Sequence, residues 1–297
     1  MMRKLLLFVC GLLFAACSQQ VRDPLTVKGN AVYYWKVAFA LDSTEQAFLK
    51  THHINRLYCR YFDVVMDKKL GPMPNATVTF NEPMPDTIEV VPTVFIMNDC
   101  MQHYPDSMAQ KIVRRILQMN ETNNIPQVKE IQIDCDYTLR NRDIYYRFLQ
   151  EVREAASQQG LSLSVTIRLH QLSMPAPPAD YGVLMLYNTG NPERYAEDDS
   201  GNKDRNPILD IRDVKPYLKY LKDYTLPLAA AYPVFLWQRS IHGIHIDHVA
   251  DFNEVMHTKQ AVEEECDDLR QLILTYHLDT ENIQRYTSEQ YEKIYRH

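Results

Sequence analysis

The chain has 297 residues, 45% of them hydrophobic and 24% charged, with a net charge of −6. The apolar share is enough for a packed core and excludes a disordered chain. The acidic balance and the lack of a basic run argue against nucleic-acid binding, which depends on neutralising phosphates.

The opening stretch MMRKLLLFVCGLLFAAC has a basic start at Arg3 and Lys4, an apolar run and small residues before a cysteine. That pattern predicts a signal peptide over 1–16. The apolar run, Leu5 to Ala16, is shorter than the ~20 residues a spanning helix needs. Its FAAC ending resembles a bacterial lipobox, which makes Cys17 the expected lipidation site; an ordinary signal peptide beside a chance cysteine is the alternative. The expectation is an exported lipoprotein of the cell envelope, held at the outer membrane by acyl chains. Residues 17–30 are polar, broken by Pro24 and Gly29, and read as a tether. Residues 31–297 remain for the folded part, and no further apolar run there is long enough to cross a membrane.

From residue 31 the apolar period keeps switching between two and 3.6. AVYYWKVAFAL (31–41) reads as a first strand, and DSTEQAFLKTHH follows with capping residues and a helix. INRLYCRYFDVV (54–65) is a second strand, followed by the Pro-rich excursion GPMPNATVTFNEPMPD. IEVVPTVFIM (88–97) is a third strand. Residues 106–120 place Ile112, Ile116 and Met119 at helical spacing. EIQIDCDYT (130–138) is the fourth strand, and the helix after it closes at Gly160. LSLSVTIRL (161–169), YGVLMLYN (181–188) and LPLAAAYPVF (226–235) supply the fifth to seventh, with an Asp-, Gly- and Asn-rich loop and the helix DIRDVKPYLKYLKDY between the last two. QLILTYHL (271–278) fits either the end of a long helix or an eighth strand, and the strand is preferred because it completes the set. Eight strands alternating with helices predict a single-domain α/β fold, a (β/α)8 TIM-type barrel with its site at the C-terminal strand ends. Cys59, Cys100, Cys135 and Cys266 are far apart and lack metal-like spacing.

Side chains alternate along a strand, so Gln132, Asp134 and Asp136 share one face of the fourth strand. The apolar face packs against helices, so the acids should point toward the barrel axis with Asp136 near the rim. Buried carboxylates need partners, for which Arg60 and Arg168 are the candidates. Two close acids would also push each other's pKa values apart, giving one site an acid and a base. A buried Asp–Arg network without chemistry is the plain alternative. A metal held by the two acids and His277 is another, but no HExxH-type spacing supports it, and neither a metal nor a cofactor is expected. MLYN (185–188) places Tyr187 and Asn188 at the end of the sixth strand. Trp35 and Trp237 fall at strand ends, where aromatic faces suit sugar rings.

VYYWK on the first strand, YCRYFDV on the second, IQIDCD on the fourth and YHLD on the eighth resemble the bacterial glycoside-hydrolase-like barrels of domain-of-unknown-function family thirty-one forty-two. The likeness covers most of 31–296 and implies a distant relation to the family-eighteen chitinases. Those enzymes carry DxxDxDxE on the fourth strand, the final Glu being the general acid, and M-x-Y-D on the sixth, whose Tyr steadies the reactive acetamido group. Here Met185 and Tyr187 match, Asn188 replaces the aspartate, and Thr138 stands where the acid belongs. Shifting the register by two makes Asp136 the acid, one methylene short, with Asp134 behind it. Neither register reproduces the chitinase set.

The expectation is therefore a glycan-active or glycan-binding protein that takes an oligo- or polysaccharide. If it is catalytic, Asp136 is the acid, Asp134 tunes it, and Tyr187 assists. Trp35, Arg60, Asn188, Trp237 and His277 are the expected substrate contacts. A non-catalytic surface lipoprotein, acting as a binding or assembly module on a degenerate hydrolase barrel, is the alternative.

Overall fold

A computed structural model describes residues 25–102, 104–126, 128–190, 205–241 and 244–297. The expected signal peptide, Cys17 and most of the tether lie outside the described residues, as does most of the polar loop after residue 190.

Eight parallel strands form the core: β1 (Gly29–Tyr34), β2 (Ile54–Asp67), β3 (Glu89–Ile96), β4 (Glu130–Asp134), β5 (Ser162–Ile167), β6 (Tyr181–Met185), β7 (Leu228–Pro233) and β8 (Leu272–Tyr276). Each pairs with its sequence neighbours, and β1 also pairs with β8, so the sheet closes into a ring. The expected (β/α)8 barrel is what the chain forms, and the ambiguous segment before residue 278 is the eighth strand.

The outer layer consists of α1 (Ser43–Thr51), α2 (Met108–Thr122), α3 (Arg142–Ser157), α4 (Ile211–Leu221) and α5 (Phe252–Glu265), closed by α6 (Thr280–Ile283) and α7 (Ser288–Ile294). In α1, Asp42 caps the first turn and Glu45 returns the bond in a reciprocal capping box. In α3, Tyr145, Phe148, Leu149, Val152 and Ala156 form the buried stripe expected of a helix lying on a sheet. Gly160 ends that unit with a φ of +71°, a conformation glycine adopts at no steric cost.

Two crossovers lack the expected α-helix, and proline explains both. Between β2 and β3, Pro72, Pro74, Pro83 and Pro85 would each break a helical turn. The chain instead folds back as Gly71–Asn75, antiparallel to the end of β2. Between β5 and β6, a short 3₁₀ turn at Leu169–Ser173 runs into Pro175, Pro177 and Pro178. A third irregularity is a hairpin, Leu236–Ile241 against Ile244–Val249, inserted between β7 and α5.

Candidate functional site

The barrel axis is polar, and β4 sets its layers. At the base Glu130 accepts from Ser164 Oγ on β5 at 2.5 Å and from Tyr181 Oη on β6 at 2.6 Å. Arg56 on β2 donates to it from Nη1 at 2.8 Å, while its Nη2 pairs with Glu89 at 2.8 Å. One step up, Gln132 Oε1 accepts from Tyr33 Oη on β1 at 2.9 Å. Above that, Asp134 accepts from Thr166 Oγ1 on β5 at 2.6 Å. Bonds from β4 to strands that are not its neighbours place these side chains inside the ring. The inner row thus begins with Glu130, two alternations earlier than Asp134, the first acid singled out from sequence; the same period-two reading extends to it. Arg56 was equally within reach, since Arg56, Tyr58 and Arg60 alternate along β2.

Asp136 lies just past the end of β4, at the mouth, with its side chain 53% exposed. Arg168, just past the end of β5, joins the two acids. Its Nε donates to Asp136 Oδ1, and its Nη2 stands 3.6 Å from Asp134 Oδ1. Burial pushes the Asp134 carboxyl above its ordinary range, and the charge on Arg168 opposes that shift. Of the two arginines expected to serve the acids, Arg168 does so.

Arg60 is the correction. Its guanidinium makes two bonds to Asp63, one of them from Nε at 2.7 Å, and no bond to Asp134 or Asp136. Residues three apart normally face opposite sides of a strand. The register shift between Arg60 and Phe62 adds one residue, a bulge, and returns Asp63 to the face of Arg60. Arg60 also covers the ring of Trp35, 5.6 Å from its centroid.

Over β5 and β6 the mouth opens into a cleft of about 400 Å³, lined by residues that include Asp136, Arg168, His170, Tyr187, Asn188 and Tyr217. Tyr187 is 3% exposed, and its hydroxyl has no hydrogen-bond partner among the described residues. Its ring stacks on Tyr276 with centroids 4.6 Å apart. Burial holds the phenol far above its ordinary pKa, so it keeps its proton and can donate. Asn188 is exposed and left-handed, with φ +52°, where β6 turns into its loop. Asn tolerates this conformation better than most residues.

The remaining expected contacts lie off the cleft. Trp35 packs in an aromatic cluster with Tyr33 and Tyr276, at 5.9 and 5.6 Å between centroids. Trp237 is half-buried on the hairpin, in register with His248. His277 meets Asn282 Nδ2 at 3.3 Å through Nε2, while its Nδ1 is buried with no partner among the described residues. Burial lowers the pKa of that imidazole and favours the neutral ring. Tyr276, the first residue of YHLD but not among the expected substrate contacts, is the hub of the cluster. Tyr217 on α4 and His170 were missed because neither belongs to a pattern around the strand ends. Among the described residues no cluster of His, Cys, Asp and Glu has the arrangement of a metal site. Thr138, which one of the two sequence registers would set at the chitinase acid, donates its hydroxyl and backbone N–H to Asn141 Oδ1 at 3.2 and 2.8 Å.

No protein-family model and no curated protein sequence matches the chain. Solved structures do. The spore cortex-lytic enzyme SleL of Bacillus cereus superposes with a TM-score of 0.56 at 14% identity, over 90% of this chain and 73% of that one. Catalytic domain 2 of the Ostrinia furnacalis Group II chitinase, solved with penta-N-acetylchitooctaose, gives 0.54 at 10% identity, over 90% and 95%. A GH18 chitinase from Pseudoalteromonas aurantia gives 0.51 at 12%, over 90% and 98%. At these identities the likeness is one of fold: the barrel resembles those of SleL and the chitinases.

Proposed function

We propose that the protein is an exported glycan-binding barrel, anchored to the cell envelope through lipidated Cys17, which holds an oligo- or polysaccharide in the cleft above β5 and β6. The observation that carries this reading is the unpartnered hydroxyl of Tyr187. An orphaned buried hydroxyl costs on the order of 1–3 kcal/mol, and a sugar oxygen in the cleft would supply its bond. The cleft volume of about 400 Å³ falls in the ~300–1,000 Å³ range of small-ligand sites. Asp136 and Asn188 add exposed polar groups at its lip. The fold relation to barrels solved with chitin-type oligosaccharides supports the same class of ligand.

Binding without hydrolysis is favoured over glycosidase chemistry for two reasons. Thr138 has no proton to give at useful rates and is engaged with Asn141. Asp136 is engaged by the Nε–H of the Arg168 guanidinium. The half-exposure of Asp136 inside the cleft is what favours the second reading, a hydrolase using Asp136 as its acid.

Calorimetry against a panel of oligosaccharides, with chromatographic analysis of the same mixtures, tests both. The expected outcome is saturable binding that weakens in Asp136→Asn, with every oligosaccharide recovered intact. Shortened products formed by the parent chain and not by Asp136→Asn would establish the hydrolase instead. No binding across the panel would overturn the proposal. Labelled fatty acid incorporated by the parent and not by Cys17→Ser tests the anchor.

A further inference from the structure

Two tyrosine rings line the cleft above β5 and β6, and their surroundings differ. Tyr187 is buried and stacked on Tyr276. Tyr217, on α4, is half-buried, and its ring meets no other ring and no cation among the described residues. Its place on the helix makes that exposure unexpected. Val214, Tyr217 and Leu221 recur at the three- and four-residue spacing of the stripe that a barrel helix turns inward. Val214 and Leu221 are covered, as that stripe requires. Tyr217 is left open because the crossover beside it has no helix. There α4 packs on the 3₁₀ turn Leu169–Ser173, which Pro175, Pro177 and Pro178 cut short. The space a helix would have filled is the cleft, and an aromatic ring forms part of its wall.

The wall and the rest of the lining offer different chemistry. The face of an aromatic ring is negative in its quadrupole and forms few hydrogen bonds, so it attracts C–H groups polarised by neighbouring oxygens. Around it stand polar groups: exposed Asp136 and Asn188, and the Tyr187 hydroxyl, which is unpaired among the described residues. A pyranose ring matches that division. Its axial C–H groups project from its faces and its equatorial hydroxyls from its rim. One face can therefore lie on Tyr217 while the rim bonds to the polar groups. A furanose ring is smaller and puckered, and does not set a row of axial C–H groups on one plane.

We propose that Tyr217 is the stacking platform of this cleft, and that the glycan it selects is built of pyranose units held by one ring face. The inference rests on the glycan-binding reading and adds to it the residue and the ring form. The test uses the full chain with the methyl glycosides of cellotriose, triacetylchitotriose and arabinofuranotriose. Calorimetry gives affinity, and saturation-transfer NMR shows which ligand protons touch the protein. A pyranoside is expected to bind about fivefold or more tightly than the furanoside, with saturation strongest on its axial ring protons. Tyr217→Leu should weaken that pyranoside about fivefold and abolish the pattern. Tyr217→Phe, which keeps the ring face, should bind it more tightly than Tyr217→Leu does. The saturation pattern is read on the parent chain, so it decides the matter even where a variant folds poorly. Equal pyranoside affinity in the parent and Tyr217→Leu, or saturation spread evenly over the ring, would overturn the proposal and leave the glycan reading standing. So would a furanoside bound as tightly as the pyranosides. A parent chain that binds neither pyranoside would also overturn it, and one that binds nothing across the wider oligosaccharide panel would remove the glycan reading as well.

Discussion

Tyr187 and Asp134 are both buried polar groups, but their partners differ. The Tyr187 hydroxyl is buried and unpaired among the described residues, so removing it takes nothing from the fold. Tyr187→Phe should leave the urea midpoint unchanged or slightly raised, while glycan affinity falls by about fivefold, the equivalent of one ~1 kcal/mol hydrogen bond. Asp134 depends on Thr166 and on the charge of Arg168. Arg168→Met would leave that carboxylate buried with a hydroxyl alone, and should cost about 3 kcal/mol in urea unfolding, much of it regained when Asp134→Asn is added. Burial raises the Asp134 carboxyl above its unfolded value despite Arg168, so the folded state holds this proton more tightly than the unfolded chain. Its contribution then favours folding below the ordinary carboxylate range and is lost as pH rises through the raised value. Stability measured from pH 3.5 to 7 should therefore fall less steeply in Asp134→Asn than in the parent.

The strands were readable because barrel staves carry a strict alternation, and in β4 that alternation alone assigns Asp134 to the axis. What period two cannot reveal is a change of phase. The bulge after Arg60 moved Asp63 onto the inner face and drew Arg60 away from the acids, and no turn residue marks it. Proline did announce the crossovers that lack helices, although the strand-helix rhythm around them argued for a full set. Where a crossover has no helix, other side chains must cover the staves. A Cβ placed on Gly182 of β6 would lie 2.7 Å from Ile167 Cγ1 and 3.0 Å from Leu228 Cδ2. Gly182→Ala should consequently destabilise the β5–β6–β7 wall by about 1–3 kcal/mol through overpacking, seen as a lower midpoint with an unchanged urea slope.

For the molecule as a whole, closure is the property on which the site depends. The seam joins the first strand to the last, and α7 clasps it from outside: Tyr295 Oη bonds Thr275 Oγ1 on β8 at 2.7 Å and Ala31 O on β1 at 3.2 Å. A chain ending before Ser288 should lose its single cooperative unfolding transition, followed by near-UV circular dichroism. The ring was legible from eight strand-like runs, and so were Asp136, Arg168, Tyr187 and Asn188 of the cleft, whereas Tyr217 was not, because it joins them only through α4.

The mouth is also lopsided. β2 continues past its last pairing with β3, at Val64, and Val65–Asp67 run on against Gly71–Met73. At about 3.3 Å per residue that parapet rises roughly 10 Å above the neighbouring stave. It stands on the flank away from the Asp136–Tyr187 side, so a long polymer laid across the opening meets a wall at one edge and a low sill at the other. Under the proposed function, a polymer held in the cleft would leave by the low side, over β5 and β6.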